Sequence, residues 1–259
     1  MKSLILAAGQ GTRMGKYCAG RPKGMLPFLG KPLLAWQIES LRRAGLSDIS
    51  IVTGYAAETI VFPEARLFHN PDFASTNMIA SLLTAKVQFG SDILVSYADI
   101  LFQSDLAHGI VAVEADVVVA ADREWKQLWE FRYGAIDQDL ESFKIEADRV
   151  TELGRPCTDP AEQQLRYIGL IKFSARALAR AVAHVAQKQS SGEPWRPSGK
   201  PFALGYMTDL LFELIETGLD VKVFPTTHGW IEFDTEADYE KLCALAEQNR
   251  LAQFIELHK

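Results

Sequence analysis

The sequence predicts an α/β protein, and three observations support this class. Apolar runs of strand length alternate with segments of helical periodicity as far as residue 121. These runs are almost uniformly apolar, as is typical of strands buried on both faces of a parallel sheet. Beyond residue 121, aromatic and basic residues are followed by two short β segments. We therefore expect a Rossmann-like, mostly parallel central sheet flanked by helices, with a smaller β subregion inserted after it.

Composition excludes several classes of protein. The 259 residues are 48% hydrophobic and carry a formal charge of −6, which allows a large core and argues against a nucleic-acid or anionic-membrane surface. Three separated cysteines without a C-x-x-C pair indicate neither disulfides nor zinc and suit a reducing cytoplasm. No apolar run approaches the ~18 residues of a membrane span. We expect a single cytoplasmic domain that binds neither nucleic acid nor membrane, and a homodimer stays an open alternative.

The first strand, over residues 3–7, leads into a loop of residues with little or no side chain: Ala8, Gly9 and Gly11. Such a loop leaves the backbone accessible, so that successive N–H groups can bind phosphate. Arg13 adds a planar cation, and Lys23 supplies a second, more compact one. Together the loop and its two cations predict a site for a triphosphate.

Two better-known glycine loops do not fit this stretch. A dinucleotide-binding loop requires G-x-G-x-x-G and a later acidic residue, but Gly15 stands one place late and residues 29–31 contain no acid. A P-loop requires glycine where Gln10 stands, and Lys16 is followed by Tyr17 rather than by serine or threonine. Both interpretations are excluded.

The segments after the loop predict alternating helices and strands. Apolar residues at helical spacing predict a helix that ends at Gly45, and strands follow at residues 49–53 and 65–69. Gly54 comes directly after the first of these strands, at the edge where open parallel sheets bind ligands. A further helix is expected from Met78, with Asn77 among its candidate caps.

A buried strand at residues 93–96 leads to Ala98 and Asp99. An aspartate at that position lies at the same sheet edge as the glycine-rich loop. Aspartates after strands are often helix caps, but here Ser104 or Asp105 is available to cap the next helix. Asp99 is therefore free for a functional role.

The stretch after the strand at residues 117–121 leaves two interpretations open. Aromatic and basic residues alternate in DREWKQLWEFRYG, which suits either a second substrate or a helix with an aromatic core face. Two β segments are expected around Ala147 and Asp148. The remaining elements are strands at residues 167–173 and 221–224, helices at 175–187 and 207–217, and a loop at 190–201 with Trp195 at its tip.

Two acidic residues near the C-terminus share one side of an extended segment. Glu232 and Asp234 are two positions apart, so both carboxylates can reach one site. The alternative is structural, because Thr235 and Asp238 form a plausible cap for the final helix.

The strings LILAAGQGTRM and RPKGMLP resemble the signature of the nucleotidyltransferase superfamily, which has the sugar-phosphate nucleotidyltransferase-like fold. SYADILF and WIEFDT resemble the strings that carry its metal-binding acids. The resemblance implies Mg²⁺ bound by Asp99, Glu232 and Asp234, and catalysis by Arg13 and Lys23. The implied nucleotide contacts are Leu6, Ala7, Ala8, Gly9, Gly11, Thr12, Arg13, Gly54, Asn77, Ser81 and Ala98. For Asn77 and Ser81, contact with the base and plain helix capping both stay open.

Within the superfamily, the chain looks most similar to small cytidylyltransferases that activate phosphocholine, phosphonates or phosphoglutamine. This branch implies CTP and a small phosphorylated or phosphonate acceptor as partners. Basic residues among the aromatic ones favour an acceptor with extra negative charge, bound by Lys126, Trp129, Arg132, Lys144 and Tyr167. We expect residues 1–121 to bind the nucleotide, 122–233 the acceptor, and 234–259 to form C-terminal helices. The alternatives are a sugar-1-phosphate enzyme using UTP or dTTP, and a catalytically silent nucleotide sensor.

Overall fold

The computed structural model of the protein describes residues 1–257. The strands are β1 (Lys2–Ala7), β2 (Pro27–Phe28), β3 (Lys31–Pro32), β4 (Asp48–Thr53), β5 (Arg66–His69), β6 (Ile93–Tyr97), β7 (Ile100–Phe102), β8 (Val117–Asp122), β9 (Glu141–Glu146), β10 (Arg149–Pro156), β11 (Arg166–Phe173), β12 (Val221–Thr226) and β13 (Trp230–Glu232). The α-helices are α1 (Leu33–Arg43), α2 (Met78–Thr84), α3 (Ser104–Ala112), α4 (Trp125–Tyr133), α5 (Ala175–Ser191), α6 (Met207–Glu216) and α7 (Glu236–Glu247). The predicted C-terminal segment extends to residue 259, and its last two residues lie outside the described part.

One mixed sheet organises the chain. Its order in residues 1–257 is β5-β4-β1-β6-β11-β8-β12-β10-β9. The pairings make β11 and β10 run against the other strands, so the sheet is mostly parallel. The predicted fold class is therefore confirmed. The predicted β segments form the β9–β10 hairpin at one edge, which turns at Ala147 with φ of 55°.

Helices cover both faces of this sheet. One buried cluster joins the sheet to side chains of α1, α3, α4 and α7, and the other joins it to α2, α5 and α6. The strands between them are apolar on both sides; all six residues of β8 are buried, for example. Because both faces are covered, these strands show a continuous apolar run rather than an alternating pattern.

The structure decides between the two interpretations of the stretch after residue 121. It forms helix α4, and Trp125 and Trp129 are buried in the core with ring centroids 5.9 Å apart. The helix with an aromatic core face is therefore the correct interpretation. Tertiary packing supplies the reason, since α4 packs against α7 and the apolar face of the sheet.

Two local predictions were wrong. Helix α3 begins at Ser104, so that Gln103 takes the cap position, and no side chain caps the helix; the N–H of Gln103 donates to the carbonyl of Gly229 at 2.9 Å. Trp195 is not at an exposed loop tip but fully buried, with its indole N–H donating to the Phe202 carbonyl at 3.0 Å. The loop thus folds back on its own aromatic residue.

In residues 1–257, no helix combines the length and the apolar character needed to cross a membrane.

Candidate active site

The loop after β1 packs against the stem of a lysine. Gly11 adopts a left-handed conformation with φ of 66°, and a Cβ there would lie 2.6 Å from Cγ of Lys23. A side chain at Gly11 would therefore displace Lys23 as well as strain the loop. Arg13 follows in a 3-10 segment (Thr12–Cys18), and its side chain is 65% exposed. Lys23 is thus largely buried beside the loop, whereas Arg13 is exposed to solvent.

Lys23 is held between two carboxylates from distant parts of the chain. Its Nζ lies 3.1 Å from Oδ2 of Asp99 and 2.8 Å from Oδ1 of Asp234. The other oxygen of Asp234 pairs with Arg13. Burial opposes the charge of Lys23, but the two carboxylates outweigh it and raise the pKa of Lys23 above its ordinary value. Lys23 is therefore charged throughout the physiological range.

A short antiparallel ribbon explains how these carboxylates meet. Strand β7 follows Asp99 directly and pairs with β13, so that Ile100 stands opposite Glu232. The N–H of Phe233 then donates to the carbonyl of Asp99 at 2.8 Å. The ribbon brings residues more than 130 positions apart to the same end of the main sheet as the glycine-rich loop.

Asp99, Glu232 and Asp234 form a group of oxygen donors. One carboxylate oxygen from each lies within 4.8 Å of the other two. Burial raises the pKa of Glu232, and its acidic neighbours Asp234 and Asp99 raise it further against the effect of Arg132. Carboxylates gathered in this way favour a bound cation, and an all-oxygen donor set suits Mg²⁺. The residues present therefore fit the implied metal.

Arg132 serves inside the protein rather than at an open surface. Its Nε and Nη2 donate to the two oxygens of Asp238 at 3.0 Å each, and its Nη1 donates to Glu232. Asp238 also accepts from the N–H of Thr235, so the predicted cap of α7 is present as well. This guanidinium therefore links α4 to α7 and to the carboxylate group, contrary to its predicted contact with an acceptor.

A cleft of about 250 Å³ opens beside the glycine-rich loop. Its walls include all the predicted nucleotide contacts except Gly54, together with both cations and one of the three acids predicted to bind the metal: Leu6, Ala7, Ala8, Gly9, Gly11, Thr12, Arg13, Lys23, Asn77, Ser81, Ala98 and Asp99. Gly54 stands next to this wall, since the N–H of Tyr55 donates to the carbonyl of Ala8 at 3.1 Å. The cleft thus gathers residues from the ends of β1 and β6 and from the start of α2.

Asn77 and Ser81 line the cleft and also have structural partners. Oδ1 of Asn77 accepts from the N–H of Met78 at 2.9 Å, so the capping role is present. The hydroxyl of Ser81 accepts from the side chain of Asn70 at 3.2 Å. Asn77 is further held by the carbonyl of Ala203, which accepts from its N–H at 3.1 Å. Contact with a base is compatible with these bonds because both side chains still border the cleft.

The structure does not bring the other predicted acceptor residues together. Lys126 is exposed, with its Nζ 5.9 Å from the centroid of the Trp125 ring. Trp129 is fully buried, and its indole N–H donates to the carbonyl of Gln138. Nζ of Lys144 lies 3.3 Å from a carboxylate oxygen of Glu152 and 3.7 Å from one of Glu162.

Tyr167 alone among the five contacts a wall of the cleft. Its hydroxyl lies 2.9 Å from that of Tyr97, which lines the cleft. Tyr97 was not predicted as a site residue. Its position at the end of a strand, directly before Ala98, could have indicated that it lines the cleft. Other missed wall residues are Gly24, Phe73, Thr76 and Met78. These lie in loops and at a helix start, where spacing in the sequence does not reveal which side chains face a ligand.

Comparison with known proteins gives one family and several relatives. The profile of the family described as MobA-like NTP transferase domain matches residues 3–191. A CTP:phosphoglutamine cytidylyltransferase of Campylobacter jejuni is 28% identical over 251 residues, covering 93% of this chain and 98% of that protein. A CMP-5′-(3-aminopropyl)phosphonate synthase of Streptomyces rubellomurinus is 26% identical over 136 residues, covering 49% of this chain and 22% of that protein. The solved structure of a CTP:phosphocholine cytidylyltransferase from Streptococcus pneumoniae has a TM-score of 0.74 at 24% identity, covering 95% of this chain and 98% of that one.

Proposed function

The chain belongs to the family of MobA-like NTP transferase domains, and on that premise we propose that it is a Mg²⁺-dependent cytidylyltransferase. It transfers CMP from CTP to a phosphate or phosphonate oxygen of a small acceptor. The acceptor is of the phosphocholine, phosphonate or phosphoglutamine type, which the relatives' names support. The location is the cytoplasm.

The observation that carries this proposal is the meeting of two cations and three carboxylates at one end of the cleft. Arg13 and Lys23 stand beside a loop whose small residues Ala8, Gly9 and Gly11 line the cleft, and a loop of this kind suits a polyphosphate. In the structure, Lys23 forms ion pairs with Asp99 and Asp234, and Arg13 forms one with Asp234. When a triphosphate binds, its oxygens replace these carboxylates as partners of Arg13 and Lys23, which leaves the carboxylates available to Mg²⁺.

The chemistry is a displacement at phosphorus. An anionic oxygen of the acceptor forms a bond to the α-phosphorus of CTP, while the bond from that phosphorus to the bridging oxygen breaks and pyrophosphate leaves with the electron pair. The acceptor oxygen is already deprotonated, so no protein base is required. Asp99, Glu232 and Asp234 would hold Mg²⁺, which would neutralise charge on the phosphates. Arg13 and Lys23 position the triphosphate and neutralise the charge that develops on the leaving pyrophosphate.

The two substrates take different parts of the fold. Residues 1–121 supply the loop, the cations and the cleft walls, and therefore hold CTP. Residues 122–233 supply Tyr167 and the hairpin β9–β10, and hold the acceptor on the far side of Tyr97. Residues 234–259 include α7, which anchors the guanidinium of Arg132 through Asp238.

The test is pyrophosphate release with Mg²⁺, in which CTP, UTP, GTP, ATP and dTTP are each offered with pooled acceptors. We expect turnover with CTP and with phosphocholine, phosphonates or phosphoglutamine. Turnover only with UTP or dTTP and a sugar 1-phosphate would assign the protein to the sugar branch instead. Nucleotide binding without turnover would favour the silent sensor.

A matched pair of variants makes the test specific to the site. Lys23→Met is expected to lower kcat/KM for CTP by roughly 100-fold or more, because it removes a cation from the phosphates. Lys126→Met removes the same charge from an exposed position on α4 and should leave kcat/KM within about twofold. Equal losses in both variants would contradict the proposed role of the glycine-rich loop and its cations.

A further inference from the structure

A buried asparagine stands behind the part of the cleft wall that the start of α2 forms. Asn70 directly follows β5 and is only 4% exposed. Its backbone N–H donates to the carbonyl of Thr53 at 2.8 Å, and its Oδ1 accepts from the N–H of Asp72 at 3.0 Å. Because the amide nitrogen cannot accept this bond, the N–H of Asp72 fixes which end of the amide carries the NH2 group. The side chain of Asn70 therefore has one orientation in the fold.

The NH2 group of Asn70 holds two hydroxyls of residues that line the cleft. Its Nδ2 donates to Oγ1 of Thr76 and to Oγ of Ser81, at 3.2 Å each. Thr76 in turn donates its own hydrogen to the carbonyl of Asp72 at 2.8 Å. Both hydrogens of the amide and the hydrogen of Thr76 are therefore already used.

The hydroxyl of Ser81 differs from that of Thr76 because its own hydrogen is still available. Within residues 1–257 this hydroxyl accepts from Asn70 and donates to no acceptor. Of α2, which is described in full, Met78 and Ser81 line the cleft, and only Ser81 has a polar side chain. A hydroxyl that accepts from a buried N–H directs its single hydrogen away from that group. Ser81 is therefore set as a hydrogen-bond donor at the cleft wall.

The two pyrimidine bases differ in what they offer to such a donor. Cytosine presents adjacent acceptors at N3 and O2, whereas uracil carries a hydrogen on N3. Ser81 is only 6% exposed, so water has little room to replace a missing partner there. A donor that faces another donor leaves both groups without a partner, which lowers affinity strongly at a shielded site. A fixed donor at Ser81 therefore favours cytosine over uracil.

We propose, on the basis of the proposed function, that Asn70 is a positioning residue for nucleotide selection. Asn70 does not line the cleft itself. It fixes the hydroxyl of Ser81 as a donor, and Ser81 donates to N3 of the cytosine ring. The preference for CTP over UTP thus depends on the orientation of a buried amide that lies behind the cleft wall.

Reversal of this hydrogen bond tests the inference. Asn70→Asp replaces the amide by a carboxylate of nearly the same shape, which at pH 8 only accepts, so that the hydroxyl of Ser81 turns its hydrogen towards it. Calorimetric titration uses Mg²⁺ with CTP or UTP and no acceptor. The wild type is expected to prefer CTP by roughly 30-fold or more, and Asn70→Asp by less than about threefold. Asn249→Asp adds the same charge at an exposed position after α7 and should keep the wild-type preference.

Two further measurements distinguish positioning from a purely structural role. In a Ser81→Ala background, Asn70→Asp should change the ratio of CTP to UTP affinity by less than about twofold, because the hydroxyl through which Asn70 acts is absent. Inorganic tripolyphosphate has no base and should bind to the wild type and to each variant with affinities within about twofold. Asn70→Ala removes the donor without adding charge, should also lower the ratio, and replaces Asn70→Asp if thermal unfolding shows that variant to be unfolded.

The outcomes separate this inference from the function on which it rests. A preference for CTP that persists unchanged in folded Asn70→Asp or in Ser81→Ala would overturn the inference alone. Equal losses of CTP, UTP and tripolyphosphate binding in Asn70→Asp would also overturn it, by showing that Asn70 only supports the fold. A wild type that binds UTP or dTTP in preference to CTP, or binds no nucleotide, would overturn the proposed function and this inference together.

Discussion

Replacing Arg132 by methionine is expected to destabilise the fold rather than to weaken acceptor binding selectively. Methionine keeps much of the apolar stem but removes the guanidinium. In the folded protein this leaves the carboxylates of Asp238 and Glu232 without their cation. The side chains of Arg132 and Asp238 are each only 1% exposed, so water cannot replace the lost partner.

The size of the effect follows from this geometry. Removal of one member of a buried ion pair typically lowers stability by about 3 to 5 kcal/mol, since an uncompensated charge remains in the interior. Two parallel bonds of 3.0 Å to Asp238 and a third bond to Glu232 favour the upper part of this range. For a domain of this size, this corresponds to a decrease of roughly 6 to 20 °C in Tm.

The assay is urea unfolding at pH 7 and at lower pH, with Lys126→Met as the control on the same helix. Arg132 lowers the pKa of Asp238 against the effect of burial, so this pair contributes stability above about pH 4 and loses it as the pH falls through the folded pKa. The difference between wild type and Arg132→Met should therefore shrink below pH 4. The exposed control should change the free energy of unfolding by less than about 0.5 kcal/mol.

A double variant sharpens the test. Arg132→Met combined with Asp238→Asn should recover part of the loss, because the remaining group is neutral. If Arg132→Met unfolds like the wild type and only the KM for the acceptor rises, the buried ion-pair interpretation is refuted and Arg132 contacts the acceptor.

Three further predictions concern single residues outside α4. Gly169→Ala should lower the free energy of unfolding by roughly 1 to 3 kcal/mol and raise the substrate KM, because the added Cβ would clash with the ring of Tyr97. The control is Gly192→Ala, which has a similar positive φ but open space around it and should show only the cost of backbone strain. Calorimetry and steady-state kinetics on both variants test this prediction. Asp99→Asn should lower kcat by roughly 100-fold or more with Mg²⁺ while the fold persists, and near wild-type turnover would show that the metal site is misplaced. Glu141→Gln should raise Tm at pH 8 but not at pH 4.5. Burial raises the pKa of Glu141 to about 7 in the folded protein, so its carboxylate destabilises the fold as the pH rises from the pKa of the unfolded chain through 7. An unchanged Tm at both pH values would mean that the charge of Glu141 is already compensated.

Local patterns in the sequence predicted most of the scaffold and part of the site. The buried strands predicted at residues 49–53 and 93–96 were confirmed with small changes at their ends, because a fully apolar run bounded by small or polar residues has few other solutions in water. The glycine-rich loop was also evident, since its small residues and flanking cations lie within a short stretch. By contrast, the start of α3 could not be predicted in this way, since the N–H of Gln103 donates to the carbonyl of Gly229, more than 120 residues away.

The sequence by itself determined the alternating α/β fold, the position of the glycine-rich loop and the identity of the three acids that the structure brings together. These features depend on residue types within a few positions of one another, where periodicity and backbone preference decide the structure. Only the tertiary structure decided which charges remain available. Arg132 is neutralised by Asp238 across two helices, whereas the side chain of Glu141 has no ion-pair partner among residues 1–257. Ion pairing of this kind depends on distances between segments that are remote in the chain.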